Sequence, residues 1–378
     1  MAGGSRIDCV VGARPNFVKM APILRALRAE GIFAPRLLHT GQHYDPEMDA
    51  VFFEELGLPR PDVHLGAGGG TQTVQTARIM ERLDAAFATD RPALVLVVGD
   101  VTSTLAAALV AAQHRIPLAH VEAGLRSGDR AMPEEINRLV TDRLSDLLLT
   151  TERTAQGRLE AEGVCRTRIR FVGNVMIDTL CEALPRTRPA AETIAAQDGA
   201  GRFGSAWRAA FGVVTLHRPS NVDDPARLSS GLAALERIAA RLPLVWPLHP
   251  RTRARLAETA LLPRLEGCKG LLVTPPLGYL SMLGLLREAR LAITDSGGVQ
   301  EETTALGVPC LTLRDSTERP VTIAEGTNTL LGTDPAALGP AVARALSGGA
   351  GPVRRPELWD GRAAPRVARA VRDFLIPA

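Results

Sequence analysis

The chain lacks most of the features that mark secreted, membrane-bound and nucleic-acid-binding proteins. It has only five cysteines, an odd number without CxxC spacing, which argues against a disulfide framework or a structural zinc site. Its net charge is only +3 and it has no basic arm, so nucleic acid is not an expected partner. No apolar run reaches the roughly 18 residues that span a bilayer, and no signal-peptide core follows the start. We therefore expect a cytoplasmic protein with reduced thiols and no membrane partner.

The composition is otherwise that of an ordinary globular protein. Hydrophobic residues make up 46% of the chain and charged residues 22%, with no biased tract. A chain of 378 residues exceeds what one hydrophobic core usually supports, which favours about two domains. Two domains imply a cleft between them.

Short apolar runs recur along the chain, each followed by a loop or a helical stretch. Their hydrophobicity is continuous rather than alternating, which is typical of strands buried on both faces of a parallel sheet. The pattern lapses across residues 185–205 and then resumes, so we predict a second α/β domain after a helical linker. The predicted strands are Ile7–Val11, Arg36–His39, Leu94–Val98, Leu118–Val121, Leu147–Thr150, Ile169–Val172, Phe211–Leu216, Leu244–Pro247, Leu271–Thr274, Leu291–Thr294 and Pro309–Leu313.

Polar residues that follow these strands are the candidate site residues, because ligands bind at the carboxyl ends of parallel strands. After the first strand, Arg14 and Lys19 place two cations in the turn and the start of a helix, an arrangement that suits a phosphate or diphosphate. A solvated helix N-terminus is the alternative, although cations there oppose the helix dipole.

Two acids follow successive strands in the first half of the chain. Asp100 and Glu122 are expected to converge at one sheet edge, where general acid–base chemistry needs them, although Asp100 has the alternative role of a helix cap. Farther along, Glu134 and Arg138 stand four residues apart on one helix face. An exposed ion pair explains that spacing equally well.

The second half supplies histidines and a glycine turn. His217 and His249 each follow a strand, a position that suits phosphate binding or proton transfer better than a core role. The strand Leu291–Thr294 leads into Asp295-Ser296-Gly297-Gly298 and a helix carrying Glu302, whose backbone N–H groups, hydroxyl and acid point to a nucleoside diphosphate. Arg319 adds a cation for a leaving group, or belongs to a loop ion pair.

Taken in order, these segments resemble the non-hydrolysing UDP-N-acetylglucosamine 2-epimerases over about residues 7–325. The resemblance implies an α/β fold of the GT-B type: two Rossmann-like, doubly wound domains with parallel sheets, an interdomain cleft and a C-terminal helix that returns to the first domain. We accordingly predict one domain at residues 1–173 with 360–378, and the other at 174–359. The motifs that carry the resemblance are GxRPxxxK from Gly12, Gly99-Asp100, VEAGLR from Val121, PEExNR from Pro133, His217-Arg218, DSGGxQEE from Asp295 and Glu318-Arg319-Pro320.

The resemblance also implies roles for individual residues. Nucleotide-binding roles fall on Arg14, His217, Ser296, Gly297, Gly298, Glu302 and Arg319. Acid–base roles fall on Asp100, Glu122 and Glu134, with His217 counted in the catalytic set. Lys19, Arg138 and His249 match further positions of the substrate site.

The expected reaction is reversible epimerisation of UDP-N-acetylglucosamine to UDP-N-acetylmannosamine, as a precursor of cell-surface polysaccharide. The C2 proton has no adjacent carbonyl to acidify it, and the sequence has no glycine fingerprint for NAD. Expelling UDP first makes that proton removable and leaves a glycal, to which UDP and a proton are added back. No cofactor or metal is expected, and the family suggests a homodimer.

Four other functions stay open at this point: an epimerase for a modified sugar such as a diacetamido uronic acid, a GT-B glycosyltransferase, a hydrolysing relative that releases free N-acetylmannosamine, and a catalytically silent binder of sugar nucleotides. The intact acids count against the last. A glycosyltransferase shares the fold and the nucleotide site, but it needs an acceptor.

The chain departs from the family pattern at three places. His217 is followed by Arg-Pro-Ser-Asn, and Leu277 stands where a glutamine commonly precedes the segment that meets uracil. Some bacterial members bind a second UDP-sugar as an activator through polar residues after the second strand and an arginine beyond it. Here residues 41–46 offer the polar groups but residues 66–70 contain no arginine. We predict weak or absent activation, which sigmoidal kinetics dependent on added UDP-N-acetylglucosamine in the reverse direction would contradict.

Overall fold

The computed structural model describes residues 4–42, 53–198, 201, 203–348 and 355–377, apart from the side chain of Arg14. The chain divides into two compact units, which we call unit 1 (Met1–Glu182 with Glu357–Ala378) and unit 2 (Ala183–Pro356). Each unit is an α/β domain built on a parallel sheet, as predicted.

Unit 1 contains a seven-stranded sheet in the order β3-β2-β1-β4-β5-β6-β7, with every neighbouring pair parallel. Strand β4 is apolar, and β4 and β5 are buried along their whole length, as expected where helices cover both faces of a sheet. The strands are β1 (Ser5–Val11), β2 (Phe33–His39), β3 (Val63–His64), β4 (Leu94–Val98), β5 (Leu118–Ala123), β6 (Leu147–Thr150) and β7 (Ile169–Phe171).

The helices of unit 1 lie between these strands, and the chain's last helix joins them. Their apolar residues pack on the sheet; Ile79, Leu83 and Phe87, for example, share a core cluster with Val95 and Val97. The helices are α1 (Arg14–Ala29), α2 (Gln72–Thr89), α3 (Thr102–Gln113), α4 (Pro133–Leu144), α5 (Arg153–Ala161), α6 (Val175–Ala183) and, after unit 2, α16 (Ala363–Leu375).

Unit 2 repeats the plan with six parallel strands in the order β10-β9-β8-β11-β12-β13. Its main core cluster surrounds Trp246, which is 1% exposed. The strands are β8 (Gly212–Thr215), β9 (Leu244–Pro247), β10 (Leu271–Thr274), β11 (Leu291–Thr294), β12 (Cys310–Thr312) and β13 (Asn328–Leu330).

The helices of unit 2 follow its strands in the same alternating way. Prolines stand in the first turn of several of them, where a missing N–H costs nothing. These helices are α7 (Ala190–Gln197), α8 (Pro219–Val222), α9 (Pro225–Ala239), α10 (Pro250–Glu258), α11 (Leu262–Glu266), α12 (Tyr279–Glu288), α13 (Gly297–Leu306), α14 (Val321–Ala324) and α15 (Leu338–Ser347).

Every predicted strand overlaps a strand of the structure, and the sequence prediction missed only β3 and β13 among the described strands. Both are edge strands of two or three residues, too short to show a hydrophobic pattern. The predicted boundary after residue 173 falls before α6 rather than after it. Most of α6 belongs with unit 1, because Thr179 donates a hydrogen bond to the carbonyl of Val18 and Asp178 accepts the N–H groups of Ala363 and Ala364.

Three further observations concern the whole of the described chain. The five cysteines form no disulfide among the described residues, and Cys9 and Cys310 are buried. No helix among the described residues has both the length and the hydropathy to cross a membrane. Within the same ranges, no three His, Cys, Asp or Glu residues gather in a way that holds a metal ion.

Candidate active site

The strand order reverses once in each sheet, and these two reversals locate the candidate site residues. In unit 1 the order turns between β1 and β4, and in unit 2 between β8 and β11. Loops that leave neighbouring strands in opposite directions open a crevice at their carboxyl ends. The loops after β1, β4 and β5 carry the predicted residues of unit 1, and those after β8, β9 and β11 carry most of the predicted residues of unit 2.

In unit 1, Lys19 on α1 forms an ion pair with Glu122 at the end of β5. Their side chains are only 6% and 4% exposed. Lys19 and Lys269 are the only lysines in the chain, which otherwise uses arginine for its cations. An ammonium group is a compact point charge, whereas a guanidinium is a broad planar fork, so the lysine fits a tight pairing with one carboxylate. The sequence placed Lys19 near a phosphate; the structure places it against an acid.

The backbone of Glu122 is unusual. Its φ angle is +75°, in the left-handed region that non-glycine residues seldom occupy. The register of β5 against β6 shifts here, so that Glu122 is an extra residue between the paired Val121 and Ala123. Such a conformation costs about 1–3 kcal/mol and persists where the surroundings enforce it. This backbone conformation therefore destabilises the fold, and it turns the carboxylate of Glu122 away from the normal alternation of side chains along the strand.

Asp100 follows β4 and forms an ion pair with Arg138 of α4. Its side chain is 26% exposed, whereas that of Arg138 is 2% exposed. The amide of Asn137 also donates a hydrogen bond of 2.7 Å to the Asp100 carbonyl. The helix that follows, α3, has Val101 as its N-cap and no side-chain capping bond, so Asp100 does not act as a helix cap.

Glu134 and Glu135 open α4 but differ in their surroundings. Glu134 is half-buried. Glu135 is buried and accepts the N–H groups of Ser127 and Gly128 at 2.9 and 3.0 Å, and it pairs with Arg138 at 2.6 Å. Burial opposes the ionisation of Glu135, but these hydrogen bonds and the Arg138 charge outweigh it and lower its pKa. Glu135 therefore holds Arg138 in place and fixes the loop after β5.

Two predicted features of unit 1 lie outside the described part of the chain. They are the side chain of Arg14 and residues 43–46, part of the segment considered for a second nucleotide. The described neighbour Gln42 accepts hydrogen bonds from the N–H and the hydroxyl of Ser103 at 3.0 and 2.8 Å. It thereby ties the loop after β2 to the start of α3.

In unit 2, His217 follows β8 and is oriented by Asp295, which follows β11. Nδ1 of His217 lies 2.8 Å from the buried carboxylate, which also accepts the backbone N–H groups of His217 and Arg218 and the amide of Asn221. Burial opposes ionisation of Asp295, yet these bonds lower its pKa. Because Nδ1–H donates to a carboxylate, Nε2 is the ring nitrogen left to meet a ligand.

His249 lies beside His217, with the ring centroids 5.1 Å apart. It is the N-cap of α10, and its Nδ1 accepts the N–H of Arg251 at 3.2 Å. Nδ1 therefore acts as an acceptor, which places the proton of the neutral ring on Nε2. The structure thus brings the two predicted histidines together, each with Nε2 as its outer nitrogen.

Ser296, Gly297 and Gly298 form the start of α13, as predicted. Ser296 is the N-cap but makes no side-chain capping bond, and the first turn contains no acid. Such a helix start offers backbone N–H groups and a positive dipole end to an anion. A Cβ on Gly297 would overlap Nη1 of Arg319, so a glycine is required for the arginine to lie against this turn.

Arg319 is 7% exposed and is surrounded by acids. It forms ion pairs with Glu301, at 2.8 Å, and with Glu318. Glu318 also pairs with Arg314 at 2.7 Å, and both guanidinium charges hold the pKa of Glu318 well below its usual range despite its burial. The arginine is therefore held rigidly beside the glycine turn, within a buried group of two cations and two acids.

Glu302 behaves differently from its neighbours. Burial raises its pKa to about 8, a hydrogen bond with Tyr279 works against the rise, and the charge of Glu301 adds to it. Near pH 7 the side chain is therefore mostly an uncharged carboxylic acid. Tyr279, which belongs to the segment that the family resemblance places near uracil, is 7% exposed and forms a hydrogen bond with this acid.

Sequence reasoning missed the residues that orient the predicted ones. Glu135, Asp295 and Glu318 each stand inside a quoted motif but received no role. Each of these acids is next in sequence to a predicted site residue, and that position was the only sign of its role. Their importance depends on which neighbour they contact, and only the structure supplies that information.

Comparison with known proteins gives a consistent result. Residues 25–372 match the family model described as UDP-N-acetylglucosamine 2-epimerase. The chain is 42% identical over 331 residues, 86% of its length and 88% of the relative's, to the UDP-2,3-diacetamido-2,3-dideoxy-D-glucuronate 2-epimerase of Pseudomonas aeruginosa. It is 39% identical over 334 residues, 87% of its length and 88% of the relative's, to the UDP-N-acetylglucosamine 2-epimerase of Methanococcus maripaludis.

A solved structure is also similar over nearly the whole chain. It is that of the Methanocaldococcus jannaschii UDP-GlcNAc 2-epimerase in complex with UDP-GlcNAc and UDP. The TM-score is 0.86 at 38% identity, and the match covers 97% of this chain and 99% of that one.

Proposed function

This chain belongs to the UDP-N-acetylglucosamine 2-epimerase family, and we propose that it inverts C2 of a UDP-linked N-acetylhexosamine by eliminating UDP and adding it back. The observation that carries the mechanism is the pair of acids in unit 1, each beside its own cation: Glu122 with Lys19, and Asp100 with Arg138. Inversion at C2 needs one group to remove a proton and another to deliver one, and this pair supplies both.

The first step breaks the C1–O bond, and its electron pair leaves with the β-phosphate of UDP. As positive charge develops at C1, a carboxylate removes the C2 proton, and the C–H electrons form the C1–C2 double bond of a glycal. In the second step a carboxylic acid protonates C2 on the opposite face while a phosphate oxygen of UDP attacks C1. Substrate and product are isomers, so the cycle consumes no other reagent. We assign the proton transfers to Asp100 and Glu122, with Glu134 as the third acid.

The departing diphosphate acquires negative charge, and unit 2 carries the groups suited to hold it. These are the start of α13 at Ser296, Gly297 and Gly298, the guanidinium of Arg319, and Nε2 of His217. Groups fixed in advance stabilise a developing charge without reorganising, which is the main source of such rate enhancement. We assign the ribose diol to Glu302 and further diphosphate contacts to Arg14 and His249.

The relative from Pseudomonas aeruginosa favours a second substrate, UDP-2,3-diacetamido-2,3-dideoxy-D-glucuronate. Its chemistry at C1 and C2 is the same, so the same acids serve either sugar. We further propose a homodimer, as the family suggests, which light scattering of the purified protein checks.

One experiment tests the mechanism directly. The protein is incubated in D2O with UDP-N-acetylglucosamine, or in parallel with the diacetamido glucuronate, and the sugar is followed by NMR. Deuterium at C2 in both epimers, with UDP still attached, is the expected result. Epimerisation without deuterium incorporation would contradict proton exchange with the acids, and release of free sugar would point to a hydrolase.

A further inference from the structure

A buried histidine lies close in the fold to the proposed acids of unit 1. His120 is on β5, two residues before Glu122, and it is 0% exposed. The imidazole bridges two groups: Nδ1 lies 2.6 Å from a carboxylate oxygen of Asp142, and Nε2 lies 2.9 Å from the carbonyl oxygen of Gly99.

Both of these partners are hydrogen-bond acceptors. The Gly99 carbonyl has no proton to donate. Asp142 accepts the N–H of Gly124 at 3.0 Å and pairs with Arg126 at 2.7 Å. Burial opposes its ionisation, but the contacts with His120 and Arg126 outweigh burial and lower its pKa. It is therefore a carboxylate. A neutral imidazole would turn a lone pair towards one of the two oxygens, so both ring nitrogens must carry protons.

The carbonyl that His120 binds belongs to the glycine next to one of the proposed acids. Gly99 immediately precedes Asp100 and has a φ of +71°. Its N–H donates to the carbonyl of Val121 at 3.1 Å, so β5 binds this residue at both its N–H and its carbonyl.

The same glycine also touches the second acid. A Cβ built on Gly99 would lie 3.2 Å from Oε2 of Glu122 and 3.3 Å from Nζ of Lys19. The Gly99 backbone therefore lies against the Lys19–Glu122 pair, and a shift of this residue moves Asp100 and crowds Glu122 at once.

We propose that His120 is a positioning residue for both acids: its two ring N–H groups tie Asp142 to the Gly99 carbonyl and so set the spacing of Asp100 and Glu122. Its role rests on the proposed function, because it acts through those two acids. A misplacement of about 1 Å outside the reacting groups costs about 100-fold in rate, which sets the size of the expected effect.

Two substitutions separate the two hydrogen bonds of the ring. The amide nitrogen of His120→Gln reaches the position of Nε2 and keeps the donor to Gly99. The amide nitrogen of His120→Asn reaches the position of Nδ1 and keeps only the donor to Asp142. Each variant removes the ring charge and leaves a smaller side chain in the same buried place, so each is the control for the other.

We expect His120→Asn to lower kcat by about 100-fold and His120→Gln by no more than about 10-fold. Because the UDP groups assigned above, apart from Arg14, belong to unit 2, the Kd for UDP by calorimetry is expected to stay unchanged in both variants. Equal losses in the two variants, in proportion to their loss of melting temperature, would show a merely structural residue and overturn the proposal.

A second measurement does not depend on the reaction. In protein labelled with 15N-histidine, we expect both ring nitrogens of His120 to be protonated at pH 7.5, with the signal assigned by its loss in His120→Gln. An unprotonated ring nitrogen would overturn the proposal even if the enzyme is active. Conversely, a wild-type protein that exchanges no C2 proton would refute the proposed function, while the NMR result would still decide the state of His120.

Discussion

In unit 1 Glu122 lies beside Lys19 and Asp100 beside Arg138, whereas in unit 2 Glu301 and Glu318 lie around Arg319, which is proposed to hold the nucleotide. Lys19 and Arg138 are themselves buried, so each fixes the position of the carboxylate beside it. In unit 2, Glu301 and Glu318 hold Arg319 in place. Glu302, whose pKa is raised by burial and by the Glu301 charge, is mostly uncharged near neutral pH. The comparison separates two uses of buried charge: preparing acids to react and fixing cations to bind.

The sharpest way to test this division is to remove the acids of unit 1 while keeping their size. Glu122→Gln and Asp100→Asn are each expected to lower the rate of epimerisation by about 10²–10⁴-fold, the usual worth of a general acid or base. UDP binding, measured by calorimetry, should be unchanged. Glu160→Gln, at a partly exposed acid near the end of α5, serves as the control. Full activity in both active-site variants would break the assignment of proton transfer to unit 1.

The pairing of Lys19 with Glu122 can be tested by changing the shape of the cation but not its charge. Lys19→Arg is expected to reduce kcat by about 100-fold, because the larger guanidinium displaces the carboxylate from its site. Lys269→Arg alters the only other lysine and is a matched control that should keep full activity. If Lys19→Arg is as active as the wild type, only the charge matters and the geometry of the pair does not.

In unit 2 the prediction concerns binding rather than rate. Gly297→Ala places a methyl group where Arg319 lies, so the arginine or the start of α13 has to shift. We expect the Kd for UDP to rise by about 10-fold, the loss of roughly one charge-assisted hydrogen bond. Gly339→Ala is the control, because a Cβ there meets no atom within 4 Å. Unchanged UDP binding in Gly297→Ala would argue against a diphosphate at this turn.

The pH dependence of UDP binding sharpens the contrast further. A ribose diol donates two hydrogen bonds, which a carboxylate accepts and a carboxylic acid accepts only in part. With a pKa of about 8 for Glu302, the Kd for UDP should rise by up to about 10-fold per pH unit below pH 8. Glu302→Gln should remove the part of the pH dependence of Kd that comes from Glu302. Any part that comes from titration of UDP itself should be the same in the variant and the wild type. If the Kd values of the variant and the wild type differ by the same factor at every pH, the assignment of the ribose diol to Glu302 is contradicted.

The same carboxyl also affects the stability of the ligand-free protein. Its folded pKa is raised from 4.5 to about 8, so its stabilising contribution is full below pH 4.5 and is lost as the pH rises through 8. Glu302→Gln should therefore melt at a higher temperature than the wild type at pH 9, with a smaller difference at pH 5. The pKa change corresponds to at most about 5 kcal/mol. Calorimetric melting at the two pH values checks it.

The sequence predicts the strands well because parallel strands buried on both faces are continuous apolar runs. Leu94–Val98 and Leu291–Thr294 are therefore found with the same bounds in the structure. The edge strands Val63–His64 and Asn328–Leu330 have too few residues to form such a run. Their strand conformation comes from pairing with β2 and β12, which is a tertiary effect.

For the candidate site, the sequence predicts which residues stand at strand ends but not which of them pair. Lys19 and Glu122 are 103 positions apart, and nothing local links them. The left-handed φ of Glu122 is equally hidden, because a glutamate gives no signal for a conformation that usually selects glycine. Asp295 and Glu135 illustrate the same limit, since each acts by holding a neighbour that the motif alone does not identify.

The return of α16 to unit 1 has a consequence for the order in which the chain is made. Its apolar residues Val367, Ala368 and Val371 are fully buried, and Arg372 binds Glu30 at the end of α1 at 3.2 Å. All of unit 2 leaves the ribosome before this helix does. Unit 2 can therefore complete its own core while unit 1 still lacks α16, and α1, which carries Lys19, gains the support of α16 only after all of unit 2 has been made.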